Sequence, residues 1–161
     1  MMRKSRILHL GNNLTKHTNY ETMLGTLSKL LISEGYSVVV SSDKKNKVLR
    51  MLDMIFSILK YKNKVDFVFI ATFSTQSFYY TLICSVFCQF FNLKYIPILH
   101  GGNLPKRIKS SPKMSNLIFS NSHINIAPST YLKYNFEKQG YKTKYIPNII
   151  EISRYKYKRR I

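Results

Sequence analysis

The chain has 161 residues, of which 45% are hydrophobic and 20% charged, a composition typical of one globular domain with a sizeable core. Its 26 lysines and arginines face only 7 acidic residues, which gives a net charge of +19. Such a surplus favours an anionic partner, whether nucleic acid, an anionic membrane surface or a phosphorylated substrate, and does not distinguish among them. Cys84 and Cys88 have no histidine or carboxylate nearby, which excludes a zinc site and predicts small buried core residues in a reducing compartment.

Apolar segments alternate with helical patterns along the chain, and Gly, Pro and capping residues separate them. In chain order the predicted elements are strand Arg6–Leu10, a helix capped by Thr18 and Glu21 and stopped at Gly35, strand Tyr36–Ser41, helix Lys44–Lys64, strand Asp66–Ala71, helix Ser77–Phe91, strand Lys94–Leu99, a short helix from Ser111 and Pro112, strand Ile124–Ala127, helix Ser129–Gln139 stopped by Gly140, and strand Lys144–Ile150. This order predicts an α/β fold: a Rossmann-like, doubly wound, mostly parallel sheet of about six strands with helices on both faces. Residues 1–150 form that domain, and the basic segment 151–161 is predicted to be a connector leading out of it.

Two segments bear on targeting. The charged segment Met1–Arg6 leads directly into an apolar run, so no secretory signal is predicted. Residues 67–93 carry no charged side chain and are long enough to span a bilayer. Polar residues between Thr72 and Ser77 interrupt this segment, which favours a turn between a buried strand and an apolar helix over a transmembrane helix.

Ligands of doubly wound sheets bind beyond the carboxyl ends of the strands, where three loops are predicted: Gly11–Asn13, Thr72–Gln76 and His100–Arg107. The first loop lacks a complete G-x-G-x-x-G pattern, and no G-x-x-x-x-G-K-S/T or H-E-x-x-H motif occurs. The seven acidic residues never form a D-x-D or an adjacent pair, which disfavours a magnesium or calcium site. These missing residues argue against an NAD(P) reductase, a P-loop NTPase and a metallohydrolase.

The sequence HGGNLPKR, from His100 to Arg107, is the strongest candidate site. Gly101 and Gly102 allow a close backbone approach to a ligand, and their N–H groups are suited to an anionic oxygen. Lys106 and Arg107 add positive charge. His100 at a strand end is suited to binding a hydroxyl or relaying a proton near neutral pH. The alternative is a tight turn in which His100 only caps neighbouring backbone groups. By contrast, His9 is predicted to lie within a strand, and His17 and His123 at the surface.

Five segments of the chain resemble the N-terminal domain of family 4 glycosyltransferases of the GT-B fold, bacterial retaining enzymes that build capsule, lipopolysaccharide and other glycans. The segments are ILHLGNNLT, GTLSKLLISEGYSVVV, YIPILHGGNLPKR, HINIAPSTYLKYNFEKQGY and TKYIPNIIEI. They follow the family order from Arg6 to about Tyr157, and this order over nearly the entire length makes the resemblance specific.

The resemblance implies an acceptor-binding domain that faces a nucleotide-sugar-binding domain across a cleft. Gly11, Asn12 and Asn13 would lie near the donor phosphates and the transferred sugar. His100 would face the reaction centre as the catalytic candidate. Gly101, Gly102, Asn103, Lys106 and Arg107 would form the acceptor side. No metal or other cofactor is implied, and the nucleotide sugar is a substrate.

Two departures from the family pattern stand out. The first loop has one glycine where relatives often have two, which puts close phosphate approach there in doubt. The E-x7-E region that holds the donor in relatives is absent from the 161 residues. The chain is therefore expected to be the acceptor half, inactive or nearly so without a donor domain in cis or in trans.

Acceptors in this family are often lipid-linked, so Lys44–Lys64, with its apolar stripe and lysines, is a candidate contact with an anionic membrane surface. The alternative is that the stripe packs on the sheet. Two other functions remain open: a basic α/β nucleic-acid-binding module, and an interaction subunit of a split transferase. The first is disfavoured because no RNP-like, zinc-finger or helix-turn-helix pattern appears.

Overall fold

A computed structural model describes residues 4–12 and 22–149 of the chain. The six strands are β1 (Arg6–Leu10), β2 (Ser37–Ser41), β3 (Phe67–Phe73), β4 (Tyr95–His100), β5 (Asn125–Ala127) and β6 (Thr143–Tyr145). The six helices are α1 (Met23–Ser33), α2 (Lys47–Tyr61), α3 (Ser77–Phe90), α4 (Leu104–Ser110), α5 (Pro112–Phe119) and α6 (Thr130–Glu137).

The strands form one sheet in the order β2-β1-β3-β4-β5-β6, and every described pairing is parallel. From β1 the chain first adds β2 on one side and then adds β3 and its successors on the other, so the winding direction reverses between β1 and β3. This is the α/β, Rossmann-like, doubly wound sheet that the sequence predicts.

Capping residues explain where several helices begin and end. The side chain of Asn46 accepts hydrogen bonds from the N–H groups of Val48 and Leu49, at 2.9 and 3.2 Å, and so starts α2. Ser129 caps α6 in the same way. Gly35 and Gly140, with φ of 84° and 81°, follow α1 and α6 in the left-handed conformation that stops a helix.

Helices α2–α6 lie on one face of the sheet, and α1 lies on the other. Two clusters of buried side chains fill the first interface, one under α2 and α3 and one under α3–α6. Cys84 and Cys88 are free and buried in the first cluster, which confirms their predicted place in the core. Burial raises the pKa of Cys84 to about 12, so this thiol stays protonated at neutral pH.

Three predicted elements differ from the observed ones. The predicted capping box from Thr18 to Glu21 falls outside the described residues, and α1 begins later than predicted, because the Thr22 hydroxyl caps it by accepting from the Gly25 N–H. The predicted turn after His100 continues as helix α4, which the sequence analysis missed. Strand β6 ends at Tyr145, well before Ile150. The Ile146 N–H still donates to the Ala127 carbonyl, but β5 ends at Ala127 and the chain turns into α6, so no further partner follows.

The apolar stripe of α2 does not pack on the sheet, because five of its six residues are exposed and the sixth, Ile55, is half-buried: Val48, Leu49, Leu52, Ile55, Phe56 and Leu59. The buried residues of this helix are instead Arg50, Met54, Ser57 and Ile58, on the opposite side. Across the two described ranges, no helix combines the length and the apolar character that crossing a membrane requires.

Candidate functional site

The loops that follow β1, β3 and β4 meet at the carboxyl edge of the sheet, as predicted. The sheet order places β1 and β3 side by side at the point where the winding reverses, which is where ligands of such sheets bind. His100 ends β4, the next strand along the edge. Asn13 lies outside the described residues, whereas the other predicted site residues all lie along this edge.

Gly11 lies where helix α1 packs closely against strand β3. Its N–H donates to the Ser41 carbonyl at 2.8 Å, so this group is already used within the sheet. A Cβ atom at this position would clash with Leu24 Cδ1 and would lie 2.8 Å from Ala71 Cβ. Glycine is therefore needed for α1 to approach β3, and any contribution of Gly11 to ligand binding comes from the space it leaves.

Asn12 is held between two helices. Its Nδ2 donates to Ser77 Oγ at 3.3 Å, at the start of α3, and its Oδ1 accepts from Arg50 Nη1 at 3.1 Å. Arg50 also donates to the carbonyls of Lys44 and Lys45, at 2.8 and 3.2 Å. The Arg50 guanidinium thus joins the loop before α2 to the loop after β1.

The sequence predicts a surface position for Arg50, because a cation in the first turn of an amphipathic helix is usually solvated, and this prediction is wrong. In the structure Arg50 is only 7% exposed.

His100 stacks on Phe73, with ring centroids 4.8 Å apart and an interplanar angle of 20°. Burial lowers the pKa of His100 below its ordinary value, so the imidazole is neutral at pH 7. A neutral imidazole has one nitrogen that accepts and one that donates, which suits it to binding a hydroxyl group. Gly101 follows with φ of 87°, and a Cβ atom added at Gly101 or at Gly102 would meet no described atom within 4 Å beyond the adjoining residues.

Arg107 lies against two aromatic rings beyond this turn. Its guanidinium carbon is 4.6 Å from the centroid of Phe78 and 5.1 Å from that of Tyr79. Nε and Nη2 are buried and have no hydrogen-bond partner among the described residues. Arg107 lines a shallow pocket of about 340 Å³ with five other residues: Ser74, Thr75, Asn103, Lys106 and Ser110. The pocket brings together the loops after β3 and β4, and Lys106 and Arg107 give it positive charge, which suits an anionic ligand.

A larger apolar groove of about 480 Å³ runs over the sheet face that carries α1. Alternate residues of β3, β4 and β5 form its floor, and leucines of α1 form one wall. His100 lies at this groove as well as at the carboxyl edge. The apolar strands of the sequence predict a sheet covered on both faces, so the pattern gives no sign of a groove here.

His9 is buried beside the same groove. Its Nδ1 lies 2.8 Å from Ser28 Oγ, and its ring meets Phe69 edge to face. Burial, and secondarily the charge of nearby His100, lower the pKa of His9 to about 3. The predicted place of His9 within a strand is confirmed, and the predicted surface position of His123 is confirmed as well.

Comparison with known proteins adds no assignment, because no protein-family model matches the chain and no curated protein sequence matches it. Within residues 4–12 and 22–149, no three His, Cys, Asp or Glu side chains cluster in a way that could hold a metal ion.

Proposed function

We propose that this chain is the N-terminal, acceptor-binding half of a nucleotide-sugar-dependent retaining glycosyltransferase of the GT-B fold. In this proposal it acts in bacterial polysaccharide or glycolipid synthesis, in the cytoplasm, as a peripheral protein on the inner face of the cytoplasmic membrane. The acceptor is a glycan or a lipid-linked glycan. A second domain, in cis or in trans, binds the nucleotide sugar without a metal or other cofactor.

The observation that carries the proposal is the combination of His100 and Arg107 at one edge of the sheet. A turn with two exposed glycines separates the neutral imidazole of His100, at the apolar groove, from the Arg107 guanidinium, at the shallow pocket beside Lys106. Hydroxyl groups pair with the first, and phosphate or sugar oxygens pair with the second. A glycosyl acceptor linked through phosphate to a lipid carries both kinds of group.

His100 and Arg107 have distinct roles in this proposal. His100 hydrogen-bonds the attacking hydroxyl of the acceptor and orients it toward the sugar held by the second domain. Arg107, with Lys106, binds an anionic group of the acceptor. Asn12, fixed by Arg50 and Ser77, presents its loop to the donor side. Holding donor and acceptor in this orientation is the main contribution that such a site makes to the rate.

The direct test is transfer of labelled hexose from UDP-, GDP- and ADP-sugars to lipid extracts of the source cell. The assay uses the natural gene product together with whatever donor domain its reading frame or operon encodes. His100→Ala is expected to lower transfer at least about a hundredfold, the range typical of a lost positioned acid–base or hydrogen-bonding group. Tyr134→Ala, an exposed change on α6, is the control and should retain wild-type transfer. Equal transfer by His100→Ala would contradict the assignment.

Acceptor binding is tested separately by saturation-transfer NMR with the 161-residue chain. The probes are undecaprenyl-phosphate-linked monosaccharides in detergent micelles, with a free nucleotide sugar for comparison. The proposal requires a signal from the lipid-linked sugar that Arg107→Gln weakens, and no comparable signal from the nucleotide sugar. A signal only from the nucleotide sugar would assign the chain to the donor side and overturn the proposal.

A further inference from the structure

The solvent-facing side of α2 is apolar. Five of its side chains are between 42% and 62% exposed: Val48, Leu49, Leu52, Phe56 and Leu59. They recur at helical spacing and so form one continuous ridge along the outside of the helix. A surface helix ordinarily turns such a stripe toward the core, so this ridge is unusual.

Polar contacts on the inner side explain why α2 keeps this orientation. Arg50 is bonded to Asn12 and to two backbone carbonyls, as described above. The Ser57 hydroxyl donates to Ser41 Oγ at 3.0 Å, and the Ser41 hydroxyl donates to Asp53 at 3.0 Å. Rotating the apolar ridge inward would break these bonds and leave their polar groups without partners. The outward ridge is therefore built into the packing of the helix.

Helix α3 extends the apolar surface. It packs beside α2, and the Tyr80 hydroxyl donates to the Lys47 carbonyl at 3.2 Å. Its own exposed side chains include Tyr79, Val86 and Phe90, of which Phe90 is 77% exposed. No residue of α3 is charged.

Lysines flank the ridge at both ends. Lys44, Lys45 and Lys47 lie at the start of α2, and Lys60, Lys62 and Lys64 lie at its end. The helix has 15 residues and is about 22 Å long, so the two groups of cations lie at opposite ends of the uncharged ridge. The one carboxylate of α2, Asp53, is engaged with Ser41 at the flank of the ridge.

From this surface we infer that α2, with the exposed side of α3, docks on an anionic lipid bilayer and inserts Leu52 and Phe56 below the headgroups. An apolar ridge bracketed by lysines matches a bilayer in both respects, because the interior takes the apolar side chains while anionic headgroups pair with the cations. A second copy of the chain would bring like charges together at both ends of the ridge. The inference specifies the surface behind the proposed peripheral location, and it does not depend on sugar transfer.

A single tryptophan reports insertion directly, since the chain contains no tryptophan of its own. Phe56→Trp is expected to show a blue-shifted emission on vesicles of phosphatidylglycerol mixed with phosphatidylcholine, and quenching by brominated acyl chains. Tyr134→Trp, on α6, is the matched control because Tyr134 and Phe56 are 63% and 62% exposed. Its emission should not shift, and brominated chains should not quench it. Vesicle binding without quenching of Phe56→Trp would overturn the inference.

Vesicle sedimentation distinguishes the contributions of charge and of apolar contact to binding. It compares wild type with the double variant Leu52→Glu/Phe56→Glu and with Tyr134→Glu. The double variant should bind at least about tenfold more weakly, a difference of about 1.4 kcal/mol. Tyr134→Glu should bind like wild type. Raising the salt concentration should weaken binding by wild type, because the Debye length falls to about 8 Å near 0.15 M. Circular dichroism and sedimentation velocity establish that each variant is folded and give its oligomeric state.

Three further outcomes would overturn the inference. The first is that wild type fails to bind phosphatidylglycerol vesicles even at low salt. The second is that Leu52→Glu/Phe56→Glu binds as well as wild type. Vesicle binding would then come only from the general attraction of a basic protein to anionic lipid. The third is that wild type forms a concentration-dependent dimer and does not bind vesicles, whereas the double variant is a monomer. The ridge would then be an interface between copies of the chain. Failure of glycosyl transfer would not affect any of these results.

Discussion

Phe73 and His100 occupy paired positions at the ends of β3 and β4, and their rings stack with centroids 4.8 Å apart. Each is the last residue of its strand, so the stacked rings lie at the carboxyl edge of the sheet. The aromatic face removes water from one side of the imidazole while the other side remains accessible from the groove. This arrangement favours the neutral form of His100 without burying the residue entirely.

Replacing the stacked ring should raise the pKa of His100. Burial lowers the pKa of this imidazole in the native protein, and Phe73→Ala would admit water beside it and return the value toward that of a free histidine. NMR titration of the His100 ring signals measures both values. Tyr131→Ala, at an exposed position of α6, is the control and should leave the titration unchanged. A wild-type midpoint at or above the free-histidine value would contradict this account.

Protein stability should fall as the pH decreases below 6.5, chiefly through His9. The unfolded chain binds a proton there with the ordinary pKa of 6.5, whereas the folded chain binds it only near pH 3. The unfolded state therefore holds more protons between these values, so the free energy of unfolding rises with pH in this window. Above pH 6.5 the contribution of His9 to stability is fully present. The expected loss is about 2 kcal/mol by about pH 5. His100 contributes in the same direction.

The measurement is urea denaturation at a series of pH values from neutral to mildly acidic, for wild type and His9→Asn. Asparagine places a polar atom near the position of Nδ1 and does not titrate, so the variant should show a shallower dependence on pH. His123→Asn is the matched control and should keep the wild-type slope, since His9 is still present. If His9→Asn retained the full slope, another group would have to be responsible.

Two glycines of the candidate site should respond differently to alanine. Gly11→Ala places a methyl group against Leu24 and Ala71 and is expected to lower the free energy of unfolding by about 1–3 kcal/mol. Gly102→Ala meets no described atom within 4 Å beyond the adjoining residues and should stay within about 0.5 kcal/mol of wild type. Chemical denaturation of the two variants side by side checks this difference. Equal destabilisation would mean that the close approach at Gly11 is relaxed in solution.

Arg50→Lys should destabilise the protein by about 1–3 kcal/mol although the charge is retained. Lysine cannot reach the carbonyls of Lys44 and Lys45 and Asn12 Oδ1 together, because the bonds come from separate nitrogens of the planar guanidinium. A double-mutant cycle with Asn12→Ala should give a coupling energy of about 0.5 kcal/mol or more. Lys60→Ala, exposed on the same helix, is the control. Additive effects of the two changes would show that Arg50 does not hold Asn12.

The sheet and its order of elements could be predicted from the sequence because each strand is a short apolar run between recognisable caps and glycines. Helix α4 was missed because Gly101, Gly102 and Pro105 are typical of a turn. In the structure Pro105 stands at the second position of α4, where its missing N–H would be unpaired in any helix. The glycines precede the helix and do not enter it.

The candidate site could be predicted only in its location. Parallel strands bring the three loops to one edge, and chain order alone specifies that edge. The stacking of His100 on Phe73 and the anchoring of Asn12 by Arg50 depend on strand register and on the rotation of α2. The periodicity of α2 predicts an apolar stripe but not the side that faces the sheet, because the inward residues include the charged Arg50 and the small Ser57.

The position of β1 between two strands that follow it in the chain has a consequence for how the protein folds during synthesis. β1 is hydrogen-bonded to β2 on one side and β3 on the other, and both follow it in the chain. The ribosome must therefore add the residues from Leu10 to Phe73 before β1 can be paired on both sides, which takes roughly 3–13 s at usual elongation rates. Throughout that interval the four buried residues of β1 remain without their full cover. Substitutions in β1 should consequently affect the yield of folded protein through aggregation of the nascent chain before they affect the stability of molecules that do fold.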